Sequence, residues 1–218
     1  MSLTLYAHPF SSYCQKVLMA LWENDTPFAY RHMEEPGAGE ELARLWPIRK
    51  FPLLVDGDRT VVETSIIIEY LDLHHPGHVR FLPIEPGAAL EVRLLDRFFD
   101  QYVMNAAQVA VNESLRDEPD RLDEAMQGAA KALEVAYGWL EQRLDGRQWA
   151  AGDCFSLADC AAAPSLFYGD WVHEIDDATY PRLRAYRSRL LARPSFARAV
   201  EEGRKYRSYF PLGAPDRD

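Results

Sequence analysis

LTLYAHPFSSYCQKVLMALWENDTPFAYR, residues 3–31, carries the local signals of one strand, one helix and a second strand. Leu3 to Tyr6 is a short apolar run with period-two character, as a strand requires. It stops at His8-Pro9, because the proline ring disfavours helix in the residue before it. Ser12 and Gln15 have the S-x-x-Q spacing of a capping box, in which each side chain satisfies an orphan N–H of the other. The spacing therefore predicts a helix from Ser12. Val17, Leu18 and Leu21 supply its apolar face, and Asn24-Asp25 ends it. Phe28 to Arg31 reads as the second strand. Strand, helix and strand within about 30 residues make a βαβ unit.

Outward from this unit, Glu34 to Glu41 is acidic and rich in Pro and Gly, which predicts a loop leading into a short helix. Phe51 to Val55 and Thr60 to Glu63 flank Asp56-Gly57, a dipeptide suited to a tight hairpin turn. A helix is predicted from Thr64 to Leu73. The order β-α-β-α-β-β-α is that of a thioredoxin-like domain, placed at residues 1–75. HHPGHVRFLPIEPG, residues 74–87, changes composition and predicts a linker over 76–87. Beyond it no strand signal occurs. Helical spacing recurs at Leu90–Leu115, Arg121–Leu144, Ser156–Phe167, Tyr180–Leu191 and Ser195–Tyr206. The expected fold class is thus α/β plus all-α, with residues 88–218 forming an all-helical domain.

Composition excludes several function classes. The chain has 218 residues, 48% of them hydrophobic and 27% charged, which is globular and neither disordered nor collagen-like. Its 24 basic and 34 acidic residues leave a net charge of −10, so neither nucleic acid nor an anionic membrane is an expected partner. An anionic ligand would need local donors to hold it. No apolar run approaches the roughly 18 residues of a membrane span, and no cation precedes Lys16 as a secretory leader would require. The three cysteines, Cys14, Cys154 and Cys160, form no CxxC pair and fit a reducing cytoplasm.

Four separated segments carry a family resemblance: SSYCQKV (11–17), P-x-x-K-F-P-x-L (47–54), E-T-S-I-I-I-E-Y-L (63–71) and G-D-x-F-S-L-A-D (152–159). Their order and spacing resemble the cytosolic glutathione transferases, serine-type and bacterial-like. The resemblance spans nearly the whole chain. It implies glutathione as co-substrate, no metal, a small apolar electrophile as acceptor, a detoxifying role and a homodimer. Two other readings share the fold. One is a glutathione-dependent cis–trans isomerase acting on maleylacetoacetate-like diacids, which would need cations in the acceptor site. The other is a non-catalytic ligand-binding or interaction module.

The chemistry requires a thiolate. A free thiol with pKa near 8.5 is only about 3% ionised at pH 7, and lowering that value by about two units takes about 2.7 kcal/mol. A hydrogen bond to a charged acceptor supplies roughly 1.5–3 kcal/mol, and a helix N-terminus roughly 0.3–1 kcal/mol more. One hydroxyl just before a helix therefore suffices. The resemblance assigns that role to Ser11, six residues before Val17, with Ser12 and Tyr6 as alternatives. The alternative reading is that Ser11 acts only as a helix cap.

The resemblance further implies that Lys50 meets the glycyl carboxylate and that Phe51, before a cis Pro52, offers its backbone to the cysteinyl unit. Glu63 would accept from the γ-glutamyl ammonium, and Thr64 would bind its carboxylate. The family favours a β-branched residue at Phe51, Gly at Arg49 and Ser at Thr64. Phe10, Tyr102, Tyr168 and Trp171 are the acceptor-site candidates, each of which could equally be core. Cys14 keeps the second cysteine of a C-P-Y-C pattern whose attacking cysteine is Ser11 here, and it reads as a small buried apolar residue. Ser156 and Asp159 form a further capping box. His74, His75 and His78 read as linker residues, not metal ligands.

Overall fold

The alternation in LTLYA becomes a strand, β1 (Leu3–Ala7), with Leu3, Leu5 and Ala7 buried and Thr4 and Tyr6 on the other face. The computed structural model describes residues 3–118 and 120–218. Helix α1 (Ser12–Glu23) connects β1 to β2 (Phe28–His32), which lies parallel to it with Leu5 opposite Tyr30. After α2 (Ala38–Leu45), β3 (Leu53–Asp56) runs antiparallel to β1 with Leu5 opposite Leu54, and β4 (Arg59–Val61) pairs with β3. The sheet order is β2-β1-β3-β4, and α3 (Thr64–His74) follows it.

The hairpin turn is Gly57-Asp58, one residue later than the expected Asp56-Gly57. Asp56 stays in the strand, where its carboxylate accepts from Tyr70 Oη at 2.9 Å and from His75 Nε2 at 2.8 Å. Gly57 supplies the positive φ of 59° that the turn needs. Glu63, expected in the second strand, instead stands at the N-cap of α3.

The helical part begins with α4 (Pro86–Phe98), inside the expected linker. Glu85 caps it by accepting from the Gly87 N–H at 2.8 Å, and Pro86 takes the first helical position, where a missing N–H costs nothing. The single helix expected over 90–115 is three pieces in one run: α4, a π turn at Phe99–Met104, and α5 (Asn105–Ser114). The Asn105 N–H reaches Asp100 C=O across the wider turn. Then follow α6 (Leu122–Arg143), α7 (Leu157–Val172), α8 (Pro181–Leu191), α9 (Pro194–Gly203) and a 3₁₀ turn at Arg204–Tyr209.

Helices α1 and α7 form the centre. Every residue from Cys14 to Leu21 is buried, because α1 packs on α3, α7 and α9 as well as beneath the sheet. Each of Val17, Leu18 and Leu21 contributes about 1.5–3 kcal/mol by this burial. Helix α7 is buried from Leu157 to Trp171, which explains why it outruns the expected end at Phe167: a helix covered on all sides has no polar face to mark its boundaries. Its capping box is formed, with the Ser156 N–H donating to Asp159 Oδ2 at 2.8 Å.

The cap of α1 differs from the expected box. Ser11, not Ser12, is the N-cap; its Oγ accepts from the Cys14 N–H at 3.4 Å. Gln15 is buried against α7, so its amide donates instead to Pro9 C=O at 2.9 Å and to Tyr168 Oη at 3.2 Å. This side chain thereby ties the turn before α1 to the helical domain.

Candidate active site

Two clefts meet at the N-terminus of α1. The first, about 320 Å³, lies between the sheet domain and α4 and brings together Lys50, Phe51, Pro52, Glu63 and Thr64. The Phe51–Pro52 bond is cis. The second, about 520 Å³, is walled by Phe10, Ser11, Ser12, Tyr168 and the 3₁₀ turn with its following residues, Tyr209 to Pro211. Tyr13 and Phe51 belong to both walls.

The first cleft is built to hold an anion at its far end. Helix α3 starts at Thr64 with no side-chain cap, and its first closed backbone bond runs from the Ile67 N–H to Glu63 C=O at 2.8 Å. The N–H groups of the first turn are thus available, and the helix dipole favours negative charge there. Glu63 holds a positive φ of 66°, a costly conformation for a residue with a Cβ and one that recurs at ligand sites. Its neighbour Thr64 is buried, while Lys50 is exposed at the opposite end.

Beneath α3 lies a buried charge cluster. Lys16 Nζ is 2.6 Å from Asp96 Oδ1, 2.8 Å from Asp100 Oδ2 and 3.1 Å from Ser65 Oγ. Ser65 in turn donates to Asp96 Oδ2 at 2.7 Å. Burial holds the Asp100 carboxyl above its ordinary value, although Lys16 opposes this. The cluster clamps the start of α3 to α1, to α4 and to the π turn, so the end of the first cleft at Thr64 rests on one buried cation.

Ser11 serves as cap and stays available as a donor. A hydroxyl has two lone pairs and one proton, and the bond from Cys14 N–H uses only a lone pair. Cys14 itself is buried, and burial pushes its thiol up to about 12, which removes it from redox chemistry at neutral pH.

Several expected site residues lie elsewhere. Tyr6 lines neither cleft; its hydroxyl donates to Glu41 Oε2 at 3.2 Å, on the sheet face away from Leu5 and the α1 core. Tyr102 is 58% exposed and packs on Phe98, because the π turn rotates it out of the cleft wall. Trp171 is buried behind the second cleft, against Phe167 and Phe210, and belongs to the core. Sequence reasoning missed Tyr13, Arg97, Asp100 and Asn105, all of which line the first cleft. Nothing in the sequence set the last three apart from the other polar residues of the 90–115 run, and Tyr13 carried no signal of its own.

His8, His32 and Glu34 bring possible ligand atoms within 4.8 Å of one another beside the second cleft. Their wiring is that of a hydrogen-bond network. His8 Nδ1 accepts from the Phe10 N–H at 3.2 Å, and His32 Nδ1 accepts from the Glu34 N–H at 3.1 Å. Each neutral ring therefore carries its proton on Nε2, where a metal would need a lone pair. His8 Nε2 faces Glu34 at 3.4 Å, and Tyr206 Oη bridges His32 Nε2 and Glu34, both at 3.2 Å. The network fastens the 3₁₀ turn over the second cleft. His75 is likewise committed to Asp56.

Comparison with known proteins agrees with this architecture. Residues 5–78 match the family model described as glutathione S-transferase, N-terminal domain, and residues 98–194 match glutathione S-transferase, C-terminal domain. The chain is 28% identical to a probable maleylacetoacetate isomerase of Vibrio cholerae, covering 93% of this chain and 97% of that one. It is 27% identical to a stringent starvation protein A homolog of Coxiella burnetii, over 76% and 75%. Among solved structures, a glutathione S-transferase from Methylobacterium radiotolerans in complex with glutathione sulfonate is 31% identical, with a TM-score of 0.78 and 92% and 95% coverage.

Proposed function

The chain belongs to the glutathione S-transferase family, and from that membership we propose that it transfers glutathione, as the thiolate, to small apolar electrophiles. The observation that carries this reading is the junction at α1. There Ser11 lines the apolar second cleft, two residues before Tyr13, which lines both that cleft and the polar first one. In this reading the Thr64 hydroxyl and the first N–H groups of α3 take the γ-glutamyl carboxylate, and Glu63 its ammonium. Phe51 pairs its backbone with the cysteinyl unit, and Lys50 meets the glycyl carboxylate. Ser11 then donates to the sulfur, with Ser12 the neighbouring alternative. The hydrogen bond and the helix terminus together lower the thiol pKa by about one to two units.

Phe10 and Tyr168 face the acceptor. No lysine, arginine or carboxylate side chain occurs among the described residues lining the second cleft. That lining supports a neutral acceptor over the diacid of an isomerase. Exposed Ile66 and Leu73 on α3, with Leu90 and Leu94 on α4, support pairing with a second copy.

The test is a pair of assays on purified protein. Conjugation of a neutral aryl electrophile should consume glutathione, with no cis–trans isomerisation of an ene-diacid. Isomerisation without glutathione consumption, and no conjugation, would overturn the proposal in favour of the isomerase.

A further inference from the structure

Tyr13 is the second residue of α1 and, with Phe51, one of two side chains that wall both clefts. It therefore borders the place where a sulfur held in the first cleft meets an acceptor held in the second. Apart from Ser11 and Ser12, which in the transferase reading serve the sulfur, the other side-chain donors of this cleft among the described residues are engaged elsewhere. The Tyr168 hydroxyl donates to Phe10 C=O at 2.9 Å, and Gln108 donates to Asn112 at 2.9 Å. Tyr209 Oη and His8 Nε2 both face the Glu34 carboxylate, at 3.3 and 3.4 Å, a charged acceptor that binds them more firmly than a neutral one.

Tyr13 is the exception. Among the described residues its hydroxyl reaches only the neutral Oδ1 of the exposed Asn105, at 3.3 Å, against about 2.7–2.8 Å for a well-formed O–H···O bond. An incoming oxygen can displace that bond at little cost. Burial, helped by the Asp100 and Glu63 carboxylates, pushes the phenol up to about 12, so it is a protonated donor at neutral pH.

We propose that Tyr13 is a catalytic residue that polarises the electrophile, donating its O–H to an acceptor oxygen on which negative charge builds, as in addition to a conjugated carbonyl compound. The assignment rests on the transferase reading. In the step, the thiolate lone pair forms a C–S bond at the β-carbon. The C=C π pair shifts toward the carbonyl carbon, and the C=O π pair moves onto oxygen, giving an enolate that accepts from Tyr13. Water then returns to the α-carbon the proton that the thiol released. The net change is addition of S–H across C=C, with nothing oxidised or reduced. Ser11 and Tyr13 serve opposite partners, the first stabilising the nucleophile and the second the developing oxyanion.

Tyr13→Phe keeps the ring and removes only the donor. At saturating glutathione, kcat/KM for benzylideneacetone should fall about 10- to 100-fold. For benzyl iodide, which has no oxygen and loses iodide, it should change less than about threefold. The ratio of the two rates on one preparation is independent of how much of the variant is folded. Asn105→Ala, which removes the competing acceptor, should hold or raise that ratio. Equal losses on both acceptors overturn the assignment. So does a selective loss that appears in Ser12→Ala in place of Tyr13→Phe, or a raised thiolate pKa of bound glutathione in Tyr13→Phe. A wild type that binds glutathione and conjugates neither acceptor removes the transferase reading and this assignment with it.

Discussion

Replacing Lys16 with methionine should be among the most damaging single changes in the sheet domain. The side chain is 1% exposed, and its ammonium sits between two carboxylates and a hydroxyl at 2.6, 2.8 and 3.1 Å. Methionine fills much of the same volume, so cavity formation is a minor cost. The dominant cost is that Asp96 and Asp100 remain buried without their cation, and breaking such a pair costs about 3–5 kcal/mol. For a chain of this size each kcal/mol moves the melting temperature by about 2–4 °C, so Lys16→Met should melt about 6–20 °C below wild type at pH 7.

The pH dependence of that deficit follows from its cause. Without Lys16 the Asp100 carboxyl is pushed further above the ordinary carboxylate value of about 3.9, the direction burial already gives it. A carboxyl raised in the folded state stabilises below its unfolded pKa, and that contribution is lost as pH rises through the folded pKa. The deficit should therefore shrink between pH 7 and pH 5, measured by circular-dichroism melts at both values. A variant melting within about 2 °C of wild type, with no dependence on pH, would refute the placement of an ionised cluster beneath α3.

Other outcomes follow from single residues. In the folded chain a thiol reagent should label one cysteine, the exposed Cys154, while burial protects Cys14 and Cys160 until denaturant is added; two labels in the native state would contradict that packing. Burial holds the His8 imidazole below its ordinary value despite Glu34, so its stabilising contribution is present above about pH 6.5 and is lost as pH falls through the folded pKa. Proton NMR should show that low midpoint, and Glu34→Gln should move it lower still, since the carboxylate opposes the shift; an upward move would be inconsistent with the network. Thr64→Ala should raise the glutathione KM about 3- to 10-fold with kcat nearly unchanged, and Thr64→Ser should restore it. A fall in kcat alone would place Thr64 in the chemical step.

The element order was legible because strand and helix alternate in residues 3–74 with clear turn residues between them. Lys50, Phe51, Pro52, Glu63 and Thr64 were legible through sequence segments that the structure brings to one cleft. What escaped was decided by tertiary packing. Ser12 and Gln15 have the spacing of a capping box, yet Gln15 is recruited by Tyr168 from a helix far along the chain. The π turn at 99–104 changes which side chains of the 90–115 run face inward, taking Tyr102 out and bringing Asp100 and Asn105 in. An even helical period cannot announce that insertion. Trp171 reads the same whether it lines a cleft or backs one, since both places are apolar. Lys16 looks like an ordinary helix lysine until α4 and α3 close over it.

The most direct measurement is the ultraviolet thiolate titration of glutathione bound to the wild type and to Ser11→Ala. The account predicts a bound-thiol pKa about one to two units below the free value near 8.5 in the wild type, and a return toward that value in the variant. Tyr13→Phe should titrate like wild type. Equal, lowered values in wild type and Ser11→Ala would contradict the assignment of Ser11, and an unshifted value in both would contradict thiolate activation at this site.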